Sequence, residues 1–182
     1  MSTLSTTIRA THLVTNAAWF GGSLFGAVGL NPAARRAGST REQVDMSGEG
    51  WERWGPVQGA AIGLHLLSGL GILADNKNRT MRHRPTREAV VVKTVLTGAA
   101  LASTAGAYVF GERLGQLRGS DTDAKGEIAT TPSGREEQAR TAERQLAWLQ
   151  WATPAATGAL LVLDAYLGEQ QRGLAGLLDR RR

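Results

Sequence analysis

Apolar residues gather into four blocks along the chain, and charged residues fill the gaps between them. The clearest block is WGPVQGAAIGLHLLSGLGILA at residues 54–74, which from Val57 on holds no Asp, Glu, Lys or Arg. Residues 57–74 are close to the length that crosses ~30 Å of hydrocarbon as a helix. Similar blocks lie at about 12–30, 89–110 and 146–167. Gly55, Gly59 and Gly63 recur every fourth residue, on one helical face. Each such Gly costs ~1 kcal/mol against Ala in a water-exposed helix, whereas between membrane helices small residues permit close approach. The pattern predicts an all-α fold, an integral membrane four-helix bundle forming one domain over residues 1–182.

The polar gaps set the connections. Residues 1–10 are rich in Ser and Thr, with Arg9 as the one basic side chain. Asn31-Pro32 is expected to end the first span, because the residue before a proline disfavours helix. A cleaved signal peptide is the competing reading of residues 12–30, but the apolar run is too long, its flank weakly basic, and no clean A-x-A site follows. Residues 31–53 read as a polar connection. Trp51 and Trp54 then stand at the mouth of the second span, with Pro56 suited to its first turn. Residues 111–145 read as a polar extramembrane loop whose REEQARTAERQ stretch, from Arg135, turns helical and leads into the last span. Pro154 is expected to kink that span. The tail sets Leu174, Leu177 and Leu178 beside Arg172 and Arg180 to Arg182, which predicts a short interfacial C-terminal helix.

Composition changes this picture little. The mean hydropathy of -0.21 and apolar share of 42% resemble a soluble protein only because blocks and gaps are averaged together. Five of the ten aromatic residues are Trp. The net charge of +5 raises nucleic-acid binding; that function wants a basic face with stacking aromatics. Here the bases flank apolar spans instead, so the expected partner is the lipid bilayer and not nucleic acid. With no cysteine there is no disulfide or thiolate site. An excess of Arg over Lys, 18 to 3, is associated with GC-rich bacterial genomes. Four spans place both termini and residues 75–88 on one side. Basic residues number ten on each side, but five of them crowd the 14-residue loop 75–88. Density in short loops carries most weight in the positive-inside rule. The expectation is a multi-pass protein of the cell inner membrane with cytoplasmic termini.

Lys93 and Asp164 are the sharpest pair for chemistry. Each lies about four residues inside the terminal-side end of its span, hence at similar depth, and ionisable residues there usually pair within the bundle. The pair reads as an ion or proton relay, or as a structural ion pair that fixes helix packing. His65, mid-span, can ligate haem or a metal, or hydrogen-bond across helices. His12 is the other span histidine. Counted from the span ends, the two differ in depth by ~9 Å, which argues against a haem between them and leaves Asn16 or Gln58 as polar contacts for His65. Small-residue stripes at Gly22/Gly26, Gly55/Gly59/Gly63 and Gly98/Ala102/Gly106 read as helix-packing faces, within the chain or in a homo-oligomer. No phosphate loop, nucleophile elbow, zincin or dinucleotide motif occurs; neither a catalytic site, a cofactor nor a metal is expected.

The stretch AAWFGGSLFGAVGLNPAA at 17–34, with its glycine pair and terminal proline, resembles the opening of small bacterial four-span proteins related to the copper-resistance D-type membrane domain. The third span, carrying Lys93 and rich in small residues, is similar to theirs in style. The resemblance implies the four-span fold. Copper handling would need ligands in the spans, and Met1, Met46 and Met81 all fall outside them. The leading expectation is therefore a non-enzymatic accessory or assembly subunit of a larger membrane complex. The alternatives are an ion or proton conductor or transporter using Lys93 and Asp164, and a quinone- or haem-binding redox protein using His65.

Overall fold

A computed structural model describes residues 3–75, 77, 84–119 and 132–179, with side chains described as far as residue 167. Among the described residues there are helices and no strand. The helices are α1 (Thr3–Phe25), a π-helical turn (Gly26–Leu30), the short α2 (Asn31–Ala34), α3 (Thr40–Asp75), α4 (Arg84–Gly119) and α5 (Pro132–Asp179). Four stretches are long and apolar enough to cross a membrane: Thr3–Ala34, Thr40–Asp75, Arg87–Arg118 and Gly134–Leu167.

Every one of these helices outruns its apolar block. Helix α1 begins at Thr3 in the polar N-terminal stretch, and the first span does not stop at Asn31-Pro32. There the chain widens into the π turn, where the Asn31 N–H bonds back to Gly26 O, and continues as α2 to Ala34. A proline in the first turn of α2 has no N–H to place, so it begins the new segment without a lost bond. Most of the expected connection 31–53 is also helical. Ser39 and Glu42 form a reciprocal cap: the Ser39 N–H donates to Glu42 Oε2 (2.8 Å) and the Glu42 N–H to Ser39 Oγ (3.2 Å). Both end donors are thereby satisfied, and α3 starts at Thr40. Pro56 consequently lies inside α3 and not in its first turn. Of the expected loop 111–145, residues 111–119 and 132–145 are helix. Backbone helix is continuous through Pro154 to Asp179, so up to that residue the tail extends α5 and forms no separate interfacial helix.

Packing follows two antiparallel hairpins. In the first, His12 faces His65, Gly22 faces Trp54 and Gly26 faces Trp51. The numbers of each pair add to 76 or 77, the constant sum that antiparallel helices require. In the second, Lys93/Asp164, Ser103/Thr153 and Gly106/Leu149 add to 255–257. The hairpins join chiefly through α1 against α5.

The interior is polar and small, the exterior apolar. Buried side chains include His12, Asn16, His65, Ser103, Thr153 and Thr157, while the buried hydrophobic set beyond Trp19 and Leu160 is entirely Ala. Leu67, Leu70, Val95 and Val162 are each more than 60% exposed. That distribution inverts a soluble core and suits a surrounding that is itself apolar.

Candidate functional site

Four ionisable side chains meet near the end of the bundle that holds the N-terminus. His12 on α1 and His65 on α3 stack face to face, ring centroids 3.9 Å apart and planes 16° off parallel. His12 Nδ1 lies 3.0 Å from His65 O, and His65 Nδ1 lies 3.2 Å from His12 O. A carbonyl oxygen only accepts, so each ring carries its proton on Nδ1 and keeps the lone pair on Nε2. Ser68, one turn on from His65, sits 3.3 Å from His12 Nδ1 and donates to Leu64 O (2.6 Å).

Lys93 on α4 is ion-paired with Asp164 on α5, their side chains 22% and 16% exposed. Asp164 follows Thr157, whose carbonyl accepts from Asn16, by seven residues along α5, which sets the pair toward the terminal end of the bundle with the stack. Only one oxygen of Asp164 is used by Lys93. The other, Oδ2, is buried and accepts no hydrogen bond from the described residues, as is Asn16 Oδ1. One turn past His12, the Asn16 amide donates to Thr157 O at 3.4 Å. Trp19 closes this layer: it is 0% exposed, meets His65 edge-on at 6.0 Å, and donates from Nε1 to Thr104 Oγ1 at 3.1 Å.

The expected depth difference between His12 and His65 is overturned. It was counted from the ends of the apolar blocks, but α1 starts nine residues before the first block, at Thr3, and the hairpin register sets the two rings level. Neither Asn16 nor Gln58 is His65's hydrogen-bond partner. Gln58 instead accepts from Trp54 Nε1 at 2.8 Å. The stacked arrangement differs from that of a bis-histidine haem site. Axial ligands present their nitrogens end-on from opposite sides of a metal, whereas these rings lie face to face. His12 is the member of the site that sequence reasoning set aside; the signal that would have found it is the Ser39–Glu42 cap, which fixes where α3 begins and hence its register.

The glycines divide by environment. A Cβ on Gly22 would stand 2.3 Å from Trp54 Nε1, and one on Gly26 2.3 Å from Trp51 Cζ2. These two glycines are seats for indoles. Gly106 receives Leu149, whose Cδ1 is 3.0 Å from the Cβ position. Gly55, Gly59, Gly63 and Gly98 have nothing within 4 Å of theirs, so among the described residues they pack against no side chain. Trp51 and Trp54 accordingly cover α1, while Trp148 and Trp151 are 82% and 51% exposed.

No group of three or more metal-ligating side chains occurs among the described residues. Comparison with protein-family models, with curated proteins and with solved structures gave no match.

Proposed function

We propose that the protein is an integral membrane bundle whose centre at Lys93, Asp164, His12 and His65 exchanges and conducts protons. The observation that carries this reading is the juxtaposition itself: an ion pair with an unused buried carboxylate oxygen, beside two imidazoles whose Nε2 lone pairs are available. Buried ionisable groups in an apolar surrounding are expensive and usually functional. A proton arriving on Asp164 neutralises the carboxylate and frees Lys93; its departure restores the pair. The imidazoles take a proton on Nε2 and release it unchanged in tautomer, because Nδ1 stays held by the opposite carbonyl. The basic density of residues 75–88 supports cytoplasmic termini and a bacterial inner membrane.

The test is proton flux into vesicles loaded with a pH-sensitive dye, under an imposed pH gradient. Asp164→Asn is expected to reduce the flux about tenfold or more, as loss of a relay carboxylate should, with helix content retained. Equal flux in wild type and Asp164→Asn would overturn the reading. A structural ion pair predicts a different pattern, lost stability in each single variant and recovery in the swap Lys93→Asp/Asp164→Lys.

The second reading, a non-enzymatic accessory subunit of a larger membrane complex or a homo-oligomer, is favoured by one observation. Among the described residues no side chain comes within 4 Å of a Cβ built on Gly55, Gly59 or Gly63 of α3, and small residues so spaced suit a second helix.

A further inference from the structure

Among the described residues, the ionisable groups within the spans, His12, His65, Lys93 and Asp164, lie on the terminal side of Trp19, while the Arg118–Glu143 pair, side chains 32% and 37% exposed, stands at the loop end. Nearest the terminal end, Arg9 and Asp75 are 3.9 Å apart, with side chains 29% and 54% exposed, and Ser5 donates to Asp75 at 3.0 Å. The His12–His65 stack, Ser68 and the Lys93–Asp164 pair follow, then Asn16 with Thr157. Trp19 comes next and has no exposed surface.

From Trp19 on, the hydroxyls of Ser23 and Ser103 bond back to backbone carbonyls. Ser23 turns its hydroxyl back to Phe20 O at 3.0 Å, on its own helix. Level with Trp19, whose partner Thr104 adjoins Ser103, Thr153 donates to Ser103 and Ser103 donates back to Ala100 O at 3.1 Å, so that chain of hydroxyls ends on a backbone carbonyl. Ala27 is buried on the line beyond. On the line of α1 the next described side chain to bond across helices is Asn31, at the start of α2, which donates to Gln150 Oε1 at 3.2 Å. It lies twelve residues beyond Trp19 in the sequence, and no described hydrogen bond joins its partner Gln150 to Thr153, one turn away on α5.

Trp19 is suited to interrupt proton movement for two reasons. Its indole fills the space where a water file would run, and apolar constrictions gate by excluding water. Its one polar atom is also the wrong kind. A proton wire needs groups that both accept and donate, and the indole N–H only donates; here it is already committed to Thr104. We propose that Trp19 is the barrier of a one-sided pathway, separating the proton-exchange centre from the loop end and leaving it open through Arg9 and Asp75 to the terminal end. This rests on the reading of the centre given above. Wild-type flux is then slow, because each transit requires Trp19 to move.

The test uses the full chain in dye-loaded vesicles, with potassium and valinomycin to hold the membrane potential at zero. Trp19→Phe keeps a ring in place without a proton path and is expected to match wild type. Trp19→Ala is expected to raise proton flux about tenfold or more, as removal of an apolar constriction should. Trp19→His, which keeps a ring but supplies an acceptor nitrogen, is expected to raise it as well, and stands in if the Ala variant does not fold. Adding Asp164→Asn to either fast variant is expected to return the flux to background. Folded Ala or His variants as tight as wild type would overturn the barrier. A leak that survives Asp164→Asn would overturn the pathway through the centre. Failure of the underlying reading is separate, since it shows as wild-type flux unchanged by Asp164→Asn alone.

Discussion

Replacing single glycines by alanine is expected to give opposite results on two faces of the bundle. At Gly26 an added methyl would stand 2.3 and 2.4 Å from two ring carbons of Trp51, well inside contact distance, so the indole must swing out. The swing breaks the bond from Trp51 Nε1 to Asn31 Oδ1, 3.0 Å long. Overpacking of this kind costs ~1–3 kcal/mol, and the lost hydrogen bond adds about 1 kcal/mol. The expected destabilisation is thus about 2–4 kcal/mol. At Gly59 the same methyl meets nothing within 4 Å; only backbone freedom changes, and Gly59→Ala should be neutral or stabilising by up to ~1 kcal/mol. The assay is thermal unfolding in mild detergent, followed by far-UV circular dichroism. Trp51→Ala should make Gly26→Ala nearly harmless, because the clash partner is gone, and the double-mutant cycle measures that coupling. A loss of similar size at Gly26 and Gly59, or additivity of Gly26→Ala with Trp51→Ala, would refute the argument from indole seats.

Two other expectations can be checked independently. Nitrogen NMR of histidine-labelled protein should show both His12 and His65 as Nδ1–H tautomers with unprotonated Nε2; an Nε2–H signal from either would break the reciprocal clamp described above. Asn31 gathers Trp51, Ser47 and Gln150 at 3.0, 3.4 and 3.2 Å, so Asn31→Leu should lower stability by about 1–3 kcal/mol through unpaired partners, read in the same unfolding assay, and an unchanged midpoint would show the cluster to be incidental.

The four long helices were legible because each is built around an apolar block long enough to cross a membrane. Helix ends were not, since a helix continues past the block wherever its end groups are satisfied. At residues 39–42 the Ser-x-x-Glu cap was present in the sequence and outweighed the polarity of residues 31–53. At Asn31-Pro32 the π turn absorbed a proline that ordinarily stops a helix. Lys93 and Asp164 were legible as a pair because both were placed by the same count from the same side. His12 and His65 were misplaced by that count, as their depth depends on register, and register depends on the helix ends. The glycine spacing revealed stripes but not their direction, since one period describes a face turned inward or outward equally well.

The division into two hairpins bears on how such a chain can be built into a bilayer. The histidines bond to each other's backbone within α1 and α3, and Lys93 meets Asp164 within α4 and α5. Each half therefore pairs its most polar groups before it touches the other. What remains for the docking step is mild: an amide on a carbonyl at Asn16, an indole on a hydroxyl at Trp19 and an amide on an amide at Asn31 and Gln150. An unpaired Lys or Asp in hydrocarbon is a strong reason for a helix to slip back into water. Here the sequence order ensures that neither has to wait for a partner from the other half. For a bundle inserted as proposed above, assembly proceeds as two self-contained insertions followed by a lateral meeting, and the buried centre exists as a unit only after that meeting.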